Sequence, residues 1–409
     1  MGGSILKKKL TVLTLILALA LGLTGCVGGE LKLYDAFNKM QDITSLDTDM
    51  EMTFTFETEG FSEEEQMVLQ QISAMLNNAK VKTHQRQVLN EEQTVVKAEM
   101  NTIMDFGGMT MDMGLWVDMD LTEDEQKMVE IIKMPQMLMS FISPEDPAKE
   151  YIVYDLGEMM KAEDVELNFA EIMEFSKELQ PKLAEFMKEI QKDFKPGFKV
   201  VTQKDDKVVN GKKLEIYEVK LDDATLKELV KYAINYSLED EKTLEFFKEY
   251  MDAVMSMGMI PEEEREAAEK EIAEGFKEFE NQIPEMKEKF NEFMEKYKDV
   301  EILGDKGIVV EYGIDDKGYI VHEAGNMDLK IDLGKIAEVL EEDTEMQGII
   351  KLGIDFKSEY YNINNKIIRV NIPKVNENNS LNMMDIMEQQ MEAIPEPESV
   401  EPAVAEVQE

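Results

Sequence analysis

One cysteine, Cys26, and one tryptophan, Trp116, occur in 409 residues, and histidine is confined to His84 and His322. A lone cysteine excludes an intrachain disulfide, so the fold must be held by packing. So few imidazoles and thiols leave no Cys/His metal-ligand spacing and no thiol nucleophile in the body of the chain. Neither a Gly-x-Ser-x-Gly elbow nor a distinct carboxylate dyad stands out. Each histidine reads as a surface residue, and the expectation is a protein that is not an enzyme. Basic residues are also scarce, 44 Lys and Arg against 87 Asp and Glu, for a formal charge of −43. That field repels phosphate backbones and excludes nucleic acid as a partner. Nor is there an apolar run of the ~20 residues that a membrane-spanning helix needs.

What is present at the N-terminus is a shorter apolar run, Leu10 to Leu23, behind Lys7, Lys8 and Lys9 and ahead of Leu23-Thr24-Gly25-Cys26. A charged segment, an apolar segment and small residues before a cleavage point make a secretory signal. Ending on cysteine, this one resembles the signal of bacterial lipoproteins. The resemblance implies that residues 1–25 are removed, and that Cys26 carries diacylglycerol on sulfur and anchors the protein to the membrane, on the extracytoplasmic face. Two or three acyl chains give a stable anchor, at roughly 0.8 kcal/mol per buried methylene. Residues 26–30 would be the lipidated cysteine and a short tether. Loss of the three leader lysines would deepen the charge to −46. The alternative is an uncleaved membrane anchor in which the cysteine is incidental.

From residue 31 the hydrophobic period alternates between helix and strand. Leu31, Tyr34, Phe37 and Met40 keep helical spacing, whereas Asp49 to Glu57 alternates polar and apolar as a half-buried strand does. Ser62 and Glu65 form a capping box for a helix over Ser62–Asn78. Strands are predicted at Lys80–Leu89, Thr94–Phe106 and Met109–Met119, with Gly107-Gly108 turning the last pair. A methionine-rich helix is expected over Thr122–Phe141, then a short strand at Tyr151–Tyr154 and a long helix at Asn168–Phe194. Asn210-Gly211 joins a hairpin of Phe198–Gln203 and Lys213–Leu221, because both turn positions tolerate positive φ. Residues 222–298 read as a helical block, with Pro284 expected to kink or interrupt its last helix. Strands return at Ile302–Tyr312, Tyr319–His322, Met327–Leu333, Ile349–Asn362 and Lys366–Val370. From residue 376 the chain is acidic, with a short helix at Leu381–Ala393, and Ile394–Glu409 cannot bury enough apolar surface to order.

This order gives one α+β domain over 31–375. Its curved antiparallel sheet, an incomplete barrel, is formed by both ends of the chain and packs on the helical block. Leu33-Tyr34-Asp35-Ala36-Phe37 running into the alternating strand at Met50–Phe56 resembles the LolA/LppX-like bacterial lipoproteins and carriers. So does the hairpin Val209 to Val219 followed by a helix from Asp222. The resemblance implies a sheet that cups helices around an apolar cavity.

Methionine is the strongest compositional excess, with 32 residues. Met50 and Met52 must share a strand face, as must Met109, Met111 and Met113. Three readings stand: core packing, an adaptable apolar groove, and copper(I) capture by thioethers. No histidine or cysteine neighbours the methionines, so no cofactor or metal is expected. Asp118 to Asp124 resembles a calcium loop but has Glu123 where glycine is required and Val129 where a bidentate carboxylate belongs. The groove reading makes Met50, Met52, Phe54, Met109, Met111, Met113 and Trp116 the lining of an apolar ligand or lipid site, in a pocket of ~300–1,000 Å³. Its rival is an envelope interaction module, with a packed core and a partner surface beyond ~600 Å² on helices 222–298.

Overall fold

The computed structural model describes residues 29–122, 126–144, 148–157, 159, 169–256, 262–340, 347–384 and 386. The signal segment, Cys26 and most of the acidic tail lie outside these. In chain order the described elements are α1 (Gly29–Gln41), β1 (Ser45–Glu59), α2 (Glu63–Leu76), β2 (Ala79–Leu89), β3 (Val95–Phe106), β4 (Thr110–Asp120) and β5 (Lys127–Lys133). There follow α3 (Gln136–Ile142), β6 (Tyr151–Asp155), α4 (Phe169–Asp193), β7 (Val201–Gln203), β8 (Lys207–Val209) and β9 (Lys212–Leu221). The chain continues through α5 (Asp223–Glu239), α6 (Glu241–Ser256), α7 (Glu262–Tyr297), β10 (Leu303–Ile314) and β11 (Ile320–Asp332). It ends with α8 (Leu333–Leu340), β12 (Ile349–Tyr361) and β13 (Ser380–Asn382).

The strands form a large curved, open, mostly antiparallel sheet in the order β13-β6-β5-β4-β3-β2-β1-β12-β11-β10-β9-β7, with β8 paired to β9. The class is α+β. The two ends of the chain meet where β1 pairs antiparallel with β12 over Asp47–Glu59 and Ile349–Tyr361. Asn210 (φ 50°) and Gly211 (φ 77°) make the tight hairpin turn that an Asn-Gly pair favours.

Helices sit at both flanks of the strand order, and two more lie at its middle: α2 packs on β1, and α8 on β11 and β12. At one flank Leu33 and Ala36 of α1 pack with Val201, Tyr217, Ile314 and Ile320. Beside them Phe186 and Ile190 of α4, Phe194 just after it, and Leu229 and Ala233 of α5 bury against Val200 and Leu221. At the other flank the fully buried Met139 of α3 meets Ile152 of β6 and Ile386. No described helix makes more than slight contact with β2, β3 or β4.

Several elements differ from the sequence expectation. Thr122–Phe141 is not one helix: Lys127–Lys133 pairs with β4 as strand β5, and only Gln136–Ile142 is helical. Tyr319–His322 and Met327–Leu333 are parts of the single strand β11, and α8 follows where no helix was expected. Lys366–Val370 is not a strand, because both sides of β12 are already taken by β1 and β11. The body extends past residue 375, since Ser380–Asn382 pairs in parallel with Tyr151–Val153 and Ile386 is buried. Pro284 lies inside α7, which runs unbroken from Glu262 to Tyr297. The capping box forms as read: Ser62 N donates to Glu65 Oε2 at 2.9 Å, and Glu65 N to Ser62 Oγ at 3.4 Å.

Candidate functional site

Strand periodicity sorts the side chains of the central strands into two unlike faces. Directly paired residues project from the same face. Along the register Met52 faces Val81, Val81 faces Met104, and Met104 faces Met111. In the other direction Met52 faces Phe356, and Phe54 faces Ile354, which faces Met327. These side chains are all half-buried. They make a continuous apolar face from β4 to β11, with α2 packed on β1, α8 on β11 and β12, and no described helix in more than slight contact with β2, β3 or β4. In the described register of β1–β6 and β10–β12, its only carboxylates are Glu130 and Glu323.

The opposite face is a charge ladder. Glu51 Oε1 lies 3.0 Å from Lys82 Nζ, Asp49 Oδ1 lies 2.7 Å from His84 Nδ1, and Arg86 Nε donates to Asp47 Oδ1 at 2.6 Å. Asp47 is fully buried, and its second oxygen accepts from Arg86 Nη2 at 3.1 Å and from Asn362 Nδ2 at 2.6 Å. Burial pushes the Asp47 carboxyl up, but the hydrogen bonds from Arg86 and Asn362 outweigh it and hold the pKa below the ordinary aspartate value. Asn362 begins a segment, residues 362–379, that must pass β1 to β6 to reach β13. It crosses on the charged face, where Asn371 N donates to Glu99 Oε2 at 3.3 Å. It ends where Glu150 N and Tyr151 N donate to Asn379 O at 3.0 and 3.1 Å.

Among the residues singled out from sequence, Met50, Met52, Phe54, Met111 and Met113 share the apolar face. Met50 faces Thr83, Thr83 faces Thr102, and Thr102 faces Met113. Met109 does not join them. It sits in the β3–β4 turn, 44% exposed, with its carbonyl accepting from Phe106 N. Trp116 lies on the charged face, three residues from Met113 and therefore of opposite parity. Its ring covers Gly114, where a Cβ would stand 2.4 Å from Trp116 Cη2, and meets Tyr151 edge-on at 6.2 Å. His322 is buried rather than superficial, its Nδ1 3.0 Å from Glu359 Oε1. Asp118 is buried between Lys97 and Lys127, and Asp120 Oδ1 accepts from Thr122 N at 3.0 Å, so both have structural partners. Cys26 lies outside the described residues.

Sequence reading missed Val81, Met100, Met104, Met327, Ile354 and Phe356, although the signal was there. Val96, Ala98, Met100, Thr102, Met104 and Phe106 alternate strictly through β3, as Ile350, Leu352, Ile354 and Phe356 do through β12. Glu323 was also missed. Tyr360 donates to Glu323 Oε2 at 2.7 Å, and Tyr312 stands opposite Glu323 on β10. Burial first, then the Glu323 charge, pushes the Tyr312 and Tyr360 hydroxyls up, so both stay neutral.

A cavity of 220 Å³ occurs elsewhere, between the β8–β9 hairpin and the charged face, lined by Asp49, Lys212, Leu214, Glu359 and Tyr361 among others. It falls short of the ~300–1,000 Å³ of small-molecule pockets, and none of the paired methionines borders it. The apolar trough of the curved sheet is therefore distinct from that cavity.

The chain matches no protein-family model, no curated protein and no solved structure. No described helix is long and apolar enough to cross a membrane, which leaves a lipid anchor and strand-based insertion unaddressed.

Proposed function

We propose that this protein is a membrane-tethered extracytoplasmic lipoprotein, held through Cys26, which binds or carries an apolar ligand without covalent chemistry. The observation that carries the reading is the half-buried apolar face from β4 to β11, which holds Glu323 as its one carboxylate while the other side of the same strands carries the charge ladder. A soluble sheet with one charged face needs its apolar face covered. Here α2 packs on β1 and α8 on β11 and β12, while β2, β3 and β4 meet the helices only slightly and their apolar side chains stay half-buried. An apolar chain laid on that middle gains about 0.8 kcal/mol per methylene removed from water. Methionine suits such a surface, since its flexible thioether repacks around varied shapes. From Met50 to Phe56 the face spans roughly 20 Å, at ~3.4 Å per residue.

The organisational resemblance to LolA/LppX-like carriers agrees with this reading. The rival interaction-module reading has less support, since Phe293 is the one strongly exposed large hydrophobic in the described part of 222–298.

The test is native mass spectrometry of the full chain, made by cell-free synthesis without lipid and then exposed to extracted bacterial lipids. The expected result is a bound mass of several hundred daltons that is lost in the Met52→Lys/Met111→Lys variant. Trp116→Phe should keep it, because Trp116 faces the other way. A clean apo mass at all lipid concentrations, with native circular dichroism, would remove the carrier reading.

A further inference from the structure

The apolar face is not uniform along its strands. One row across it reads Thr102, Thr83, Met50, Ser358, Glu323, Tyr312. The next row toward the start of β1 brings Gln85, Thr48 and Tyr360. Toward the end of β1 the rows become apolar: Met104, Val81, Met52, Phe356, then Phe54, Ile354, Met327, Ile308. From β2 to β10 the trough is therefore itself amphipathic, polar at one end and greasy at the other. Its single carboxylate in that span, Glu323, belongs to the polar end. Two neutral tyrosines sit against Glu323 and pack under α1, where Phe37 meets Tyr312 edge-on at 5.1 Å, so that helix closes the polar end from outside. Tyr360 uses one oxygen of Glu323; a carboxylate accepts about four hydrogen bonds, so capacity remains toward the trough. Ser358, directly opposite Glu323 on β12, is buried and adds a hydroxyl.

We propose that the ligand is a single amphiphile lying along β1 and β12. Its tail rests on Met52, Phe54 and Phe356, and its hydrogen-bond-donating head, neutral or cationic but not anionic, meets Glu323. The inference rests on the carrier reading and narrows it. An anionic head at this end would meet a carboxylate in a partly desolvated setting, where repulsion is much stronger than in water. The acidic surface of the whole chain adds in the same direction.

Three probes with the same sixteen-carbon tail test it below their micelle concentrations: monopalmitoylglycerol, hexadecylammonium and hexadecyl phosphate. Binding to the full chain is measured by isothermal calorimetry, alongside the Glu323→Gln and Tyr360→Phe variants. The expected result is that the phosphate binds at least about tenfold more weakly than the other two, because like charges repel. Glu323→Gln should bring the three within about threefold, while Tyr360→Phe, which keeps the charge, should retain the gap. Equal or tighter binding of the phosphate by the native protein would overturn the inference while leaving the carrier reading intact. So would a gap unchanged by Glu323→Gln in a variant of native thermal stability. If none of the three binds, both readings fall together.

Discussion

Asp47→Ala should be among the most damaging single substitutions on the sheet, for a reason that lies on the charged face and not in the apolar one. Asp47 has no exposed surface and accepts three hydrogen bonds, two from Arg86 and one from Asn362. Removing one partner of a buried ion pair typically costs ~3–5 kcal/mol, because the other charge is left desolvated. Arg86 keeps about a quarter of its side-chain surface and retains Glu99 at 3.5 Å, which places the loss at the low end, about 3 kcal/mol. At roughly 3 kcal/mol per molar in urea for a chain of this size, the unfolding midpoint should fall by about 1 M. The substitution also unfastens residues 362–379, so native-state trypsin should cut faster after Lys366 and Arg369, both exposed. Replacing both partners, Asp47→Leu with Arg86→Met, should recover most of the stability, since a packed apolar pair removes the stranded charge. An Asp47→Ala midpoint within ~0.2 M of the parent, with unchanged cleavage, would refute the reasoning.

Acid should act through the same group. Because the Asp47 pKa is held below its unfolded value, the pair's stabilisation is complete above the ordinary aspartate pKa of ~3.9 and is lost as pH falls through the lower folded value. Trypsin-independent detachment of 362–379, followed by hydrogen exchange, should therefore appear below about pH 4 and be absent at pH 6. Asn77→Ala should cost ~1–3 kcal/mol in urea unfolding, since Asn77 Oδ1 accepts from Phe56 N at 2.6 Å and Nδ2 donates to Phe56 O at 3.0 Å where β2 no longer reaches β1. Gly114→Ala should cost ~1–3 kcal/mol and shift Trp116 emission, because the added methyl must displace the indole that lies over it.

Much of this fold was legible because β1, β3 and β4 alternate cleanly, and alternation reports a half-buried strand whatever its neighbours are. The joining of both chain ends in one sheet also followed from element order. What failed did so for identifiable reasons. Lys127–Lys133 carries Met128, Val129, Ile131 and Ile132 nearly in sequence, a run that fits a buried strand or a helix face equally well. Lys366–Val370 has the composition of a strand, but β1 and β11 already hold both edges of the preceding β12, and edge availability is a property of the assembled sheet. Trp116 was misplaced against its own parity: Met113 and Trp116 are three residues apart on one strand and cannot share a face. Glu323 had no local signature at all, since its role comes from Tyr360 and Tyr312 on two other strands.

The central claim, that the apolar sheet face is a ligand surface, is tested most directly by photo-cross-linking. The full chain would be irradiated with a sixteen-carbon amphiphile carrying a diazirine at its tail end, then digested and sequenced by mass spectrometry. The account expects the label on Met52, Phe54, Met104, Met111 or Phe356. Label on Lys82 or Trp116 of the charged face, on the outer helices alone, or on no residue above the unirradiated control would contradict it.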